Sequence, residues 1–184
     1  LAPVPAAVPP GDQVAGRLVL EDNFDAGPGK SGLEDEGRGK ESTRGFHSPG
    51  VYHFLLAHPD ETRHVALPRF AVSNFTLEIE VWDNSDDFTG SMSAGVVFRA
   101  RDNDHFYAFL IDPRTFQYSV RKYDAPDKWT DLAPWTQSDF INGRAEHNMV
   151  RVDGDGDRFS ITLNGQPLYS FSDGSYPFGM LGMI

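Results

Sequence analysis

The chain has 184 residues, no cysteine, and 27 acidic against 16 basic side chains, for a net charge of −11. So acidic a surface repels phosphate backbones and anionic headgroups, which disfavours nucleic acid and membrane surfaces as partners. The lack of cysteine rules out disulfides, thiolate metal sites and cysteine nucleophiles, and no run approaches the roughly 18 apolar residues of a membrane span.

The first residues, Leu1-Ala-Pro-Val-Pro-Ala-Ala-Val-Pro-Pro10, form a Pro/Ala tract that cannot sit inside a sheet and favours an extended spacer. Residues 1–16 are therefore expected to be a linker, a stalk after an export signal or anchor, and 17–184 a single β domain. A first strand is predicted over Arg17–Phe24, then a long loop rich in Gly and charge from Ala26 to Glu41. Strands follow at Gly50–Leu56 and His64–Leu67. The segment Asn74–Trp82 alternates strictly, with Phe75, Leu77, Ile79 and Val81 on one side and Thr76, Glu78, Glu80 and Trp82 on the other. Because strand side chains point to opposite faces with period two, one face is buried and the other is available to partners.

Ala94–Arg99 and Phe106–Ile111 flank a tight polar connection and read as a hairpin, and Phe116–Tyr123 is a further alternating strand. Trp129–Trp135 reads as a short strand and corner, and Ser138–Glu146 as a loop. Asn148–Val152 and Arg158–Leu163 meet at Asp153-Gly-Asp-Gly-Asp157, a hairpin turn rather than a calcium loop, since no downstream glutamate or flanking helix is present. Asn164-Gly165 lies between alternating runs, a strong hairpin signal. Gly179–Ile184 ends the chain as a strand, for which the N-terminal strand is the expected partner. Strands with turn signals every eight to twelve residues or so indicate an all-β sandwich or barrel.

The succession Leu20-Glu-Asp-Asn-Phe24, Gly50-Val-Tyr52, Phe75-Thr-Leu-Glu-Ile-Glu80, Gly95-Val-Val-Phe-Arg99, Asp104-His-Phe-Tyr107, Asn148-Met-Val-Arg-Val152 and Leu163-Asn-Gly165 resembles the concanavalin A-like lectin/glucanase superfamily. Within it the chain is most similar to laminin-G-like and 3-keto-disaccharide-hydrolase-like bacterial surface modules. The resemblance implies a jelly roll of two antiparallel sheets whose concave face is often used for sugars. It implies calcium near the chain ends in some relatives, for which Asp22 and Asp25 are the candidates here.

Laminarinase-like hydrolases of that superfamily carry Glu-x-Asp-x-Glu on one strand, whereas this chain has Glu78-Ile79-Glu80-Val81-Trp82. Tryptophan cannot transfer the proton, so the acid/base partner of that mechanism is missing. A 3-keto-disaccharide hydrolase is the enzymatic alternative. The binding reading rests on aromatic and charged side chains predicted on outward faces, because sugar C–H faces stack on aromatic planes while polar groups bond the hydroxyls. Glu78, Glu80, Trp82, Arg99, Tyr107 and Arg121 are the expected ligand-binding residues. Trp129 and Trp135 are expected to cap the sandwich. The expected role is an exported, extracellular or periplasmic, non-catalytic module without a cofactor. Its expected partners are a glycan or cell-wall polysaccharide and neighbouring domains of a larger surface protein.

Overall fold

The computed structural model describes residues 18–25, 27, 32–33, 35–36, 43–47, 50–56, 62–84, 92–125 and 128–184. The expected linker 1–16 and most of the loop 26–41 lie outside these residues. Twelve strands are described: β1 (Thr43–His47), β2 (Val51–Leu55), β3 (Val65–Val72), β4 (Phe75–Val81), β5 (Ala94–Asp102), β6 (His105–Asp112), β7 (Gln117–Asp124), β8 (Trp129–Gln137), β9 (Asn148–Asp155), β10 (Arg158–Leu163), β11 (Gln166–Ser172) and β12 (Gly179–Met183). They form a β1-β2 hairpin, a four-stranded sheet in the order β11-β10-β9-β4, and a six-stranded sheet in the order β3-β12-β5-β6-β7-β8. Every described pairing is antiparallel. The all-β sandwich expected from the alternating pattern is the fold observed.

The main core lies between the two larger sheets. Leu77, Ile79 and Val81 of β4, Val150 and Val152 of β9, and Phe159, Ile161 and Leu163 of β10 meet Phe98, Tyr107, Phe109, Ile111 and Val120 of the six-stranded sheet. Burial of each such side chain stabilises by roughly 1.5–3 kcal/mol, which is why the period-two pattern dictates the register. The central strands β5 and β6 are buried on both faces. Their second face carries Val97, Ala100, Phe106, Ala108 and Leu110, packed with Met180, Tyr123 and Trp129.

Three expectations need correction. Leu18–Asn23 has no strand pairing, and β12 pairs with β3 and β5 instead of an N-terminal strand. The apolar run of β12 fits a strand buried on both sides within the six-stranded sheet, a place no edge strand could fill. Trp129–Gln137 is a full nine-residue edge strand, with Pro134 tolerated because an edge leaves one side of the ladder free. The Asn164-Gly165 turn is as the dipeptide requires: both residues take left-handed φ, 51° and 79°, as in a two-residue hairpin of the primed type.

Candidate functional site

The six expected ligand-binding residues fall in three separate places. Glu78 and Glu80 are exposed on the outward face of β4, an edge of the four-stranded sheet, with Trp82 just past its end. Arg121 lies on the far face of the six-stranded sheet, where its guanidinium covers the Trp129 ring at 4.9 Å and its Nε donates to Asp131 Oδ1 at 2.7 Å. Arg99 and Tyr107 are fully buried. Neither is an outward-facing binding residue, so the expectation of one cradle built from all six does not describe this molecule.

Arg99 turns inward because it takes a left-handed φ of 53° at a β-bulge between Phe98 and Asp102. An inserted residue of this kind reverses the alternation locally and re-aims the side chain. The guanidinium then sits over the rings of Phe159 and Phe75, at 5.1 and 5.8 Å. It donates to the carbonyls of Tyr176 and Gly156, each at 2.8 Å, and to that of Ser73. These carbonyls belong to three different connections at one end of the sandwich, so Arg99 is a structural clamp. Burial lowers its pKa from the ordinary arginine value.

Tyr107 lines the main core with Phe98 and Phe159, and its hydroxyl donates to Asp173 Oδ1 at 2.8 Å. Burial, reinforced by that carboxylate, raises the Tyr107 pKa. Asp173 also accepts from the Ser175 amide at 2.8 Å and from Lys122 Nζ at 3.2 Å. Burial by itself would raise the Asp173 pKa, but the hydrogen bonds from Ser175, Tyr107 and Lys122 together lower it from 3.8 to about 2. A carboxyl group whose folded pKa is depressed contributes stability above its unfolded pKa, and this contribution disappears as pH falls through the folded value. The side chain is 15% exposed, so the contribution is about 2 kcal/mol, lost between roughly pH 4 and pH 2. Acid titration of unfolding should show that loss in the native chain and a flattened profile in Asp173→Asn. An unchanged slope in the variant would remove this carboxylate from the account.

The outward face of β4 and β9 is where exposed polar and aromatic groups do converge. Pairing of the two strands sets Thr76 opposite Asp153, Glu78 opposite Arg151 and Glu80 opposite Met149. Arg151 Nε and Nη2 donate to Asp153 at 2.7 and 2.8 Å, and Nη1 donates to Glu78 Oε1 at 3.2 Å. Thr76 Oγ1 donates to Asp153 Oδ1 at 2.5 Å. The Arg151 hydrogen bond is the main cause that lowers the Asp153 pKa. At the end of this row the imidazole of His147 lies flat on the Trp82 indole, with centroids 4.4 Å apart and planes 2° apart. His147 Nδ1 is 2.9 Å from Glu80 Oε1. Trp82 also lines a shallow cleft with Val81, Asp83, Met92, Ala94, Ile111 and Pro113. The exposed Met149 extends the apolar part of the surface next to Glu80.

The loop that presents His147 is held at both sides. Ala145 N donates to Asp83 O at 2.9 Å, and Asn148 Oδ1 accepts from Asn142 N at 2.8 Å. Asp83, nearly buried, is in turn paired with Arg114 Nε at 2.8 Å. His147, Met149 and Arg151 are the site residues that sequence reasoning misses. The alternation of Asn148–Val152 marks Met149 and Arg151 as outward-facing, but nothing local says that this strand lies beside β4.

Of the other candidates, Trp129 packs against Tyr123 at 4.9 Å and Phe106 at 5.7 Å in the cluster on the far face of the six-stranded sheet, so it covers that outer face and does not cap the space between the sheets. Trp135 is among the exposed large side chains. Asp22 Oδ1 accepts the Phe24 amide at 2.8 Å and Asp25 Oδ2 accepts from Asn23 Nδ2 at 2.7 Å, so both carboxylates serve a local turn.

No protein-family model matches this chain, and no curated protein matches it in sequence. Solved structures do match. The carbohydrate-binding module CBM66 from Bacillus subtilis is 18% identical, with a TM-score of 0.56 over 65% of this chain and 71% of that one. Sheep galectin-11 in complex with glycerol is 10% identical, with a TM-score of 0.48 over 66% and 86%. The CBM40 of the Ruminococcus gnavus IT-sialidase, bound to α2,6 sialyllactose, is 12% identical, with a TM-score of 0.40 over 60% and 63%. The likeness to CBM66 establishes a shared β-sandwich fold.

Proposed function

We propose that this domain is an exported, non-catalytic carbohydrate-binding module whose ligand surface is the outward face of β4 and β9 around Trp82. The observation that carries this reading is the Trp82–His147 stack beside the Glu80 carboxylate. It joins an aromatic plane, an acceptor for sugar hydroxyls and the exposed Met149 at the rim of a polar sheet face. Stacking a pyranose or furanose ring there would use its apolar C–H face, while Glu80 and the Glu78–Arg151 pair bond the hydroxyls around it. The sandwich shared with CBM66 supports a carbohydrate-binding role, and the excess of carboxylates favours uncharged or cationic glycans over acidic ones. As part of a surface protein, the domain would hold neighbouring domains at a glycan or cell-wall polysaccharide.

Isothermal titration against a panel of soluble glycans tests this. Trp82→Ala is expected to weaken any binding by about tenfold or more, the loss of roughly 1.4 kcal/mol of stacking, with melting little changed because Trp82 is outside the main core. Full affinity in that variant would move the site elsewhere. Release of reducing sugar or keto-sugar from the same panel would instead favour the 3-keto-disaccharide hydrolase alternative.

A further inference from the structure

The group already lying on the Trp82 indole identifies what a ligand there should look like. His147 supplies a flat ring at stacking distance and a ring nitrogen 2.9 Å from a Glu80 oxygen. Its side chain is 53% exposed, so it covers the indole from the solvent side without being locked into the core. The backbone around it is anchored through Ala145 and Asn148, and rotation about its own side-chain bonds is enough to uncover the plane.

We propose that the imidazole of His147 occupies the ligand's place, and that the site takes an amine-bearing sugar whose cationic nitrogen sits against Glu80. This rests on the carbohydrate-binding reading above and names the ligand class. A glucosamine-type ring offers the two features His147 now supplies: an apolar face for the indole and a nitrogen donor for the carboxylate. A charge-assisted hydrogen bond of that kind is stronger than one from a neutral hydroxyl.

The surrounding charge points the same way. Near Trp82, Glu78, Glu80 and Asp153 stand beside Arg151, which already donates to both Asp153 and Glu78. Further along the same face Asp155 lies opposite Arg158 of β10, so that pair cancels in formal charge. Asp83 and Arg114 neutralise each other beside the cleft, and Arg144 and Glu146 of the adjoining loop cancel in formal charge. Across the whole chain the net charge of −11 adds a long-range attraction for a polycationic glycan. A uronate or sialylated chain meets repulsion from the same groups.

The test measures binding of three oligosaccharides of equal length by calorimetry, at a pH at which the amine is protonated: glucosamine, N-acetylglucosamine and uronate oligomers. The glucosamine oligomer is expected to bind about three- to fivefold tighter than its acetylated counterpart, the size of one partly exposed ion pair. That advantage should shrink at high salt, since exposed charges are screened over a few ångströms at about 1 M. His147→Ala should tighten glucosamine binding by freeing both indole and carboxylate, and Glu80→Gln should weaken it more than it weakens the acetylated oligomer. Equal affinity for the two oligomers, or weaker binding in His147→Ala, overturns the proposal. So does equally tight binding of a lysine-rich peptide, which would mean the surface reads charge alone. If other neutral glycans bind and these do not, the ligand class is wrong while the carbohydrate reading stands. If no glycan binds, both fall.

Discussion

Replacing Arg99 by alanine is expected to destabilise the domain by about 3–5 kcal/mol, a large share of the stability of an ordinary domain. The side chain is wholly enclosed and donates to three carbonyls drawn from the β3–β4 turn, the β9–β10 turn and the segment after β11. Alanine would leave the buried Tyr176 carbonyl and the partly covered Ser73 and Gly156 carbonyls without their donor, and would remove the cationic cover from Phe159 and Phe75. Hydrogen bonds to a charged donor contribute about 1.5–3 kcal/mol each, and the stranded Tyr176 carbonyl adds its own desolvation cost, whereas water can reach the Gly156 carbonyl. Nothing offsets this at the backbone, because alanine adopts the left-handed φ of 53° no more easily than arginine. Lysine at this position retains a cation but has no planar fork to span three acceptors, so it should fall between alanine and the native chain. Urea unfolding of the three proteins checks the order. A loss below about 1 kcal/mol in Arg99→Ala would show that water satisfies the three turns and that the clamp is incidental.

The contrast between Arg99 and Glu80 shows what one sequence can and cannot disclose. Glu80 lies where alternation places it, because β4 has one apolar and one polar face and no irregularity to break the count. Arg99 follows Val97 and Phe98, and strict alternation puts it outward beside Val97. A single residue in left-handed φ cancels that inference, and no Gly or Asn marks the position as it would in a turn. Tyr107 fails for a different reason. Both faces of β6 are apolar, so its periodicity cannot say which set meets the opposing sheet. In the fold, Tyr107, Phe109 and Ile111 face the four-stranded sheet, while Phe106, Ala108 and Leu110 form the second cluster. His147 is hidden by topology: sequence shows a loop histidine, and only the β4–β9 pairing brings it to Trp82 and Glu80. The fold class was legible because it depends on local pattern repeated many times. The site was legible only in its β4 half because the other half comes from a strand far away in the chain.

Gly95→Ala should be comparably severe, at roughly 3 kcal/mol or more, although it adds one methyl group to a strand interior. A Cβ at this position would lie 1.9 Å from the carbonyl oxygen of Phe109 and 2.9 Å from its carbon, with the Leu110 Cα at 3.1 Å. All three are backbone atoms, so no rotamer change can make room, and β5 must move away from β6. The two strands are in register here, Gly95 opposite Leu110 and Val96 opposite Phe109, and Val96 and Phe109 are fully buried. Separating them opens the main core at its centre. Gly95 also exchanges backbone hydrogen bonds with Ile184, its amide donating at 2.9 Å and its carbonyl accepting at 3.2 Å, so the C-terminal strand would be disturbed by the same movement. Gly174→Ala is the control: the nearest atom to its added Cβ is Asp157 Cβ at 3.8 Å, and its φ is not left-handed. Thermal melts should show a large drop for Gly95→Ala and almost none for Gly174→Ala. A Gly95→Ala domain that melts with the native one would mean that β5 and β6 sit further apart in solution than the close approach here requires, and the packing assigned to Val96 and Phe109 would have to loosen with it.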